Sequence, residues 1–563
     1  MGYITIFFVS FFCGFSLLAS GKIFNKYLIN EDKVSFFENI IFGCIVLTFL
    51  ALVINFFFSL NEKLNLIFII LPSFLYFFTD KREIKNDLKY LLLFSFLTVL
   101  LISLENTNRP DAGLYHLPYI GILNESNLLV GISNLHFRFG HTSIIQYLSA
   151  IYNNIVFTSN GILVPSSIFY LALLGYLINE AIKKRNDKVY SFLSIIFSSY
   201  VLINMNRYSS WGNDDYGSIM SFLVILNCYQ NFNKLKFRSY AKILLFCSFA
   251  FFIKSFYIIL FLLPFILFLK HFRIHYNELI FNKLNLFNLL FVIFWLIKNF
   301  LTTSCFIFPI TILCFDVFQW SLSNIAIAKI SLVSEAWAKD WPNNNTGLDY
   351  KNFVADFNWY KTWLNNHFII IVKNLSVLIS LILIFRIFID INIDNIQKKF
   401  IKIFSMILFF LFLIWFFKFP LLRYGEGILV SFILLLSLNL KIKSFNVNNF
   451  KFSIVIILIL SLSIVVKNTL RIIKNYHNVY VDYPWPKKNS HTYTNSKNKY
   501  DVIKKDSEIL YYKPNIEHRL CMYGPSPCAA IGVNQYYFKM KNIEIDKGRF
   551  LFFDMFFMTN KNN

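Results

Sequence analysis

Apolar residues in this chain neither alternate nor recur on one helical face. They run in unbroken blocks separated by short polar punctuation, at about 2–20, 36–59, 65–79, 90–104, 161–180, 189–206, 216–231, 240–253, 256–270, 284–300, 367–385, 402–418, 427–440 and 453–467. The pattern predicts an all-α polytopic membrane protein with about 14 spans. Several blocks fall short of the ~20 residues that cross a bilayer. The pairs 240–253 with 256–270 and 402–418 with 427–440 are therefore expected to be short helices that meet at mid-depth. Residues 2–20 resemble the apolar core of a signal peptide, but a basic leader and a small-residue cleavage site are missing, so a retained helix is expected.

The connections between blocks divide by charge. Lys22, Lys26 and Lys33, then Lys81, Arg82, Lys85 and Lys89, then Lys183, Lys184, Arg185 and Lys188, then Lys234, Lys236 and Arg238, crowd alternate connections, as do 270–283, 386–402 and 441–451. Cation-rich connections stay in the cytoplasm. The other set, 60–64, 105–141, 207–215, Lys254, 301–366, 420–426 and the tail from about 468, is then outward-facing, and every stretch of unusual polar chemistry belongs to it.

Composition agrees with this reading. Of 563 residues, 56% are hydrophobic, too many for the surface of a soluble globule of this size. A net charge of +23 invites a nucleic-acid reading, but the cations sit between apolar runs, where they orient helices, so no nucleic-acid partner is expected. The 69 Phe, with abundant Ile, Lys and Asn, have the look of coding bias and carry no function. Cys13, Cys44, Cys228 and Cys247 lie within apolar runs, and only Cys521 and Cys528, in "CMYGPSPC", look like partners for a disulfide in an oxidising compartment.

The candidate chemistry begins at "RPDAGLYHLPY". Arg109, Asp111, Tyr115 and His116 stand at the edge of an apolar block, where Asp111 can act as a base, a metal ligand or an electrostatic partner, or can be a salt bridge or helix cap. His136, Arg138 and His141 cluster beyond it, and 142–158 reads as an amphipathic helix on the membrane interface. A divalent metal ion stays an open cofactor, since these residues do not define a ligand spacing. The next outward connection holds Arg207, Asp214 and Asp215, where the acids either cap the following helix or supply a second carboxylate. Lys254 sits inside "FAFFIKSFYII", Lys298 and Asn299 end a span, and "FPLLRYGEG" holds Arg423 and Glu426. Such cations suit a phosphate at the bilayer edge, with snorkelling as the plainer account of Lys254. Five of nine Trp fall within 301–366, either as interfacial anchors or as platforms for sugar rings.

The ordered stretches "DAGLYHLPYI…LLVGISNLHFRFGHTS", "WLIKNFLTTSCFIFPI" with "FDVFQW", "FPLLRYGEG" and the Cys pair of the tail resemble an uncharacterised family of bacterial multispanning membrane proteins. That family is in turn similar to the GT-C glycosyltransferases, whose first large outward loop carries an essential acid. The resemblance runs from about residue 90 to the C-terminus. It implies a GT-C-like module over 90–467 with outward loops at 105–160 and 301–366, preceded by additional helices over 1–89 and followed by a small extracytoplasmic domain over 468–563. It places the GT-C acid at Asp111 and a second acid at Asp214 or Asp215. Many members have "SGYP" where this chain has Ser304, Cys305 and Phe306 before Pro309. The implied activity is transfer of a sugar from a polyprenyl-phosphate-linked donor, a membrane lipid, to a glycan, lipid or protein acceptor, outside a bacterial cytoplasmic membrane. Asp111 is the expected base, His116, Asp214 and Asp215 its companions, and Arg109, Tyr115, His136, Arg138, Arg207, Lys254, Lys298 and Arg423 the expected substrate contacts. A transporter or flippase, or a polysaccharide polymerase or ligase, would use similar charges.

Overall fold

The computed structural model describes residues 3–31, 34–76, 81–102, 111–158, 161–204, 214–280, 282–344, 347–389, 391–440, 449–475, 500–505, 507–515, 520–521, 523–529 and 543–560. Among the described residues, every apolar block of the sequence lies wholly or largely on a helix. Six helical segments among the described residues are long and apolar enough to cross a membrane, within 4–29, 36–55, 164–183, 283–303, 360–388 and 395–418. Apolar stretches at 188–204, 255–271 and 455–467 are shorter.

The helices α1 (Tyr3–Phe24) and α2 (Phe36–Asn55) are apolar all round: neighbours bury most of α2, whereas α1 leaves Ile4, Phe8 and Phe12 exposed along one face. Against α1 lie α3 (Glu62–Tyr76) and α4 (Lys81–Ile102). Lys22 fixes this group by donating to Asp87 at 2.5 Å and to the Tyr76 hydroxyl at 3.2 Å. Next come α5 (Leu117–Glu125) and α6 (Ile144–Ile151). All eight α6 residues are buried, packed among α2, α3, α5 and α7 (Val164–Lys183). The expected amphipathic helix over 142–158 is therefore shorter and lies inside the protein, where neighbours cover both its faces.

The central helices are α8 (Lys188–Asn204), α9 (Asp214–Asn231) and α10 (Phe237–Ile253). Lys254 breaks the helix in extended conformation (φ −154°, ψ 127°) before a 3-10 turn over Ser255–Phe261 and α11 (Leu262–Ile280). The chain then forms α12 (Lys283–Thr303), α13 (Asn324–Ala338), α14 (Tyr350–Val354) and α15 (Tyr360–Trp363). The bundle closes with α16 (Ile369–Phe388), α17 (Asn395–Lys418), α18 (Leu422–Ser437) and α19 (Asn449–Asn475). Helix α19 runs past residue 467, where the tail was expected to begin.

Two features of 301–366 differ from the sequence reading. Cys305 is bonded to Cys314, so Cys521–Cys528 is not alone. The pair escaped notice because Cys314 stands in a run of apolar residues that reads as more hydrocarbon. Trp320, Trp359 and Trp363 are buried and cannot serve as exposed sugar platforms. Trp359 and Trp363 instead join Phe353, Ile371, Trp415 and Leu429 in a satellite core. Trp363 donates to the Pro420 carbonyl at 2.7 Å and Trp415 to that of Leu421 at 2.8 Å, which fixes the corner between α17 and α18.

The tail contributes two antiparallel hairpins, β1 (Tyr500–Lys505) with β2 (Glu508–Pro514) and β3 (Ile543–Phe550) with β4 (Phe553–Asn560). Strand β4 is seated on the segment after α5: Val130 donates to the Asp554 carbonyl at 2.9 Å and accepts from the Phe556 N–H at 2.8 Å. Asn153 donates to the Tyr523 hydroxyl at 2.5 Å, which donates to Asn124 at 3.1 Å. The tail thus props the segment that carries the first candidate residues.

Candidate functional site

Four helix ends meet at one pole of the bundle. They are the start of α9, the break after α10, the start of α18 and the π-helical turn Ala112–His116 that leads into α5. Small residues bring α9 close to α18 and to the turn after Lys254. A Cβ on Gly217 would lie 2.0 Å from the buried Tyr257 ring of that turn, and one on Gly427 of α18 would lie 2.1 Å from the Ser221 hydroxyl of α9, so neither position admits a side chain without separating the packed elements. Tyr257 shares a hydrogen bond of 2.9 Å with Ser218 and donates to the Asp214 carbonyl at 3.3 Å, which locks the 3-10 turn after Lys254 onto the start of α9.

This packing gives the acids and cations their partners. Lys254 donates to the Asp214 carboxylate, and Arg423 Nε stands 3.6 Å from its other oxygen. Tyr424 lies beneath both cations, with Lys254 Nζ 3.2 Å and the Arg423 guanidinium 5.0 Å from its ring centre. The two acids at the start of α9 separate. Asp214 faces the cations, whereas Asp215 acts on Tyr170, Tyr200, Tyr216 and Tyr257 in the helix interior. Glu426 also belongs to that interior set, accepting from Tyr200 at 2.6 Å.

Asp111 and Arg138 carry charge with no such partner. Asp111 is exposed and makes no ion pair among the described residues, yet it acts electrostatically on Tyr115, His116 and Arg423. Arg138 is half-buried and also lacks an ion pair among the described residues. Its guanidinium lies over Tyr115 at 5.8 Å and Phe137 at 5.1 Å. His116 feels Asp111, Asp214, Lys254 and Arg138 together, and Arg423 feels Asp111 and Asp214, so these groups gather around His116.

The protonation of His116 follows from its neighbours. Ser143 and Gln146 form a capping box at the start of α6, in which the Ser143 N–H donates to Gln146 Oε1 at 2.9 Å. That bond turns the Gln146 amide so that Nε2, a donor, faces His116 Nδ1 at 3.1 Å. Nδ1 therefore accepts and Nε2 carries the proton. Burial, with the nearby cations, outweighs Asp111 and Asp214 and lowers the His116 pKa to about 4, so the ring is a neutral donor near pH 7. This tautomer leaves no free lone pair on the imidazole, which opposes metal ligation. Among the described residues no three His, Cys, Asp or Glu side chains group closely enough to hold a metal ion.

Other expected contacts lie elsewhere. His136 is fully buried and accepts from the Arg138 N–H at 3.1 Å, and burial, with Arg138 adding, lowers its pKa to about 3. Lys298 is buried near the far end of α12, donates to Thr142 and Asn299 and lies 4.7 Å from the Trp295 ring centre, which makes it a strut between α12 and the segment before α6. Arg109 and Arg207 lie outside the described residues. Sequence reasoning missed Gln146 and Tyr424. The S-x-x-Q spacing of Ser143 and Gln146 marks the first as a capping residue, whereas nothing local marks the second.

Comparison with known families now places the chain. A family described as a domain of unknown function (DUF8201) matches residues 3–430. The chain belongs to this family. The match takes in α1 to α4, so the DUF8201 unit includes the helices expected to be additions before residue 90, and it ends within α18, just beyond Arg423 and Glu426. No curated protein and no solved structure matches the chain.

Proposed function

We propose that this DUF8201 protein is a membrane glycosyltransferase of GT-C type that moves a sugar from a polyprenyl-phosphate donor to an acceptor hydroxyl outside the cytoplasmic membrane. One observation carries the reading: Asp111, an exposed carboxylate with no ion pair among the described residues, gathers with Arg138, Lys254 and Arg423 around His116 and Tyr115 at the pole of an apolar bundle. The donor's polyprenyl tail stays in lipid while its phosphate meets these cations.

In this mechanism Asp111 accepts the proton of the acceptor hydroxyl as its oxygen attacks the anomeric carbon. The bond from that carbon to the phosphate oxygen breaks with inversion, and the bonding pair leaves on the phosphate. Arg423 and Arg138 stabilise the growing negative charge, joined by Lys254 when Asp214 shares it. Asp214, already paired, holds the cations in place and does not act as a base. His116 orients the acceptor by donation from Nε2.

The reading is tested with Asp111→Asn in membranes supplied with a labelled polyprenyl-linked sugar. Transfer should fall by roughly 10²- to 10⁴-fold, the usual contribution of a general base, with insertion unchanged. Transfer at the wild-type rate would remove Asp111 from catalysis. Movement of the labelled lipid across the bilayer without glycosidic-bond cleavage would instead favour a flippase.

A further inference from the structure

At the opposite pole, about 25 Å from Lys254 by the rise of α10, a second polar recess opens where α1 ends and α10 and α12 begin. It is a cavity of about 530 Å³ whose lining includes Lys26, Tyr27, Asn30, Arg238, Asn282 and Lys283. Among the described residues three cations and no carboxylate line it. Glu31 and Glu38 on that side are held by Lys242 at 3.4 Å and 2.9 Å. Lys26, Arg238 and Lys283 make no ion pair among the described residues, so three positive charges converge there.

The wall of the cavity is built rather than accidental. After α1 the chain makes a π-turn over Asn25–Ile29, and Asn30 reverses it in the left-handed region (φ 55°). The Asn30 carbonyl then accepts from Arg238 Nη1 at 2.8 Å, which ties the reversal to the start of α10 and leaves the other guanidinium donors for a ligand. The rim is partly apolar: Tyr27 and Phe237 of the lining are exposed, so apolar surface adjoins the cations. Cations beside apolar surface select an anionic headgroup.

We propose that this cavity binds the phosphate of an anionic membrane lipid, at a site distinct from the Asp111 recess and independent of its activity. Phosphate is the shared chemistry, and the apolar rim favours the lipid over a soluble source.

The test uses the full chain in neutral detergent and native mass spectrometry, with short-chain phosphatidylglycerol, short-chain phosphatidylcholine and inorganic phosphate as separate probes. Wild type should bind phosphatidylglycerol at least about tenfold more tightly than phosphatidylcholine, and Lys26→Gln with Lys283→Gln should remove about tenfold of that affinity or more, as expected for two cations near a lipid headgroup. Both lysines are exposed, and the Arg238–Asn30 bond is left intact. If the double variant fails to fold, each single variant carries the same comparison at about fivefold. Inorganic phosphate that displaces phosphatidylglycerol at comparable concentration keeps the phosphate site but assigns it to a soluble ligand. Equal affinity of wild type and variants for all three probes would overturn the site.

Discussion

Gln146 decides which nitrogen of His116 carries the proton, because its own amide is fixed from the other side by the Ser143 N–H. Burial then keeps the ring neutral, and the same holds for His136. Both rings titrate near 6.5 when unfolded, but near 4 and 3 in the fold. As pH falls below 6.5 the unfolded chain takes up protons that the folded chain refuses. The stability these groups contribute is therefore complete above that pH and is lost at about 1.4 kcal/mol per pH unit for each ring as pH falls toward the folded values. Glu125 works in the opposite direction, since burial raises its pKa to about 7, so the useful quantity is a difference. The melting temperature of wild type in detergent should fall more steeply between pH 6.5 and 5 than that of His116→Gln with His136→Gln. Parallel curves would show that neither ring is held neutral. The sequence exposed these histidines as candidates but not their state, because it reads 105–160 as an outward loop with an interfacial helix whereas packing buries most of 112–158.

At the scale of elements, the cluster joins α9, α10 and α18 through Asp214, Lys254 and Arg423. Each helix offers only an end here, and no pair of ends would meet without the close packing that Gly217 and Gly427 permit. Breaking the pair from one side leaves a partly buried charge without its partner, which costs more than removing both. A double-mutant cycle of Asp214→Asn and Lys254→Met on thermal stability should therefore give a coupling of about 1–3 kcal/mol. Additive losses would mean that the contact does not hold the ends together. This level was half legible. The helix break at Lys254 was readable because a lone lysine interrupts an apolar run, and so was the corner before Arg423, where Pro420 stands. The choice between Asp214 and Asp215 was not, since adjacent helix positions differ by about 100° in direction and only the neighbours decide which faces the recess.

For the whole molecule, the proposed function requires a single orientation. It needs the segments that carry Asp111 and both disulfides to face outward, and the cation-rich connection 232–238 at the other pole to face the cytoplasm, as the positive-inside bias expects. What was legible at this scale is the run of apolar helices, because it depends on counts along the chain. The burial of α6 and the second disulfide depend on contacts between distant segments and were not. Orientation can be measured without disturbing the bundle, because the four unpaired cysteines, Cys13, Cys44, Cys228 and Cys247, are buried and give a low background to thiol reagents. Asp111 and Lys236 are both exposed, so Asp111→Cys and Lys236→Cys present thiols at the two poles. In intact cells a membrane-impermeant maleimide should label Asp111→Cys at once and Lys236→Cys only after permeabilisation. The reverse order would put the Asp111 recess in the cytoplasm. Donors and acceptors displayed outside could not then reach it, and the transferase reading would fall even though the geometry of both recesses stayed as described.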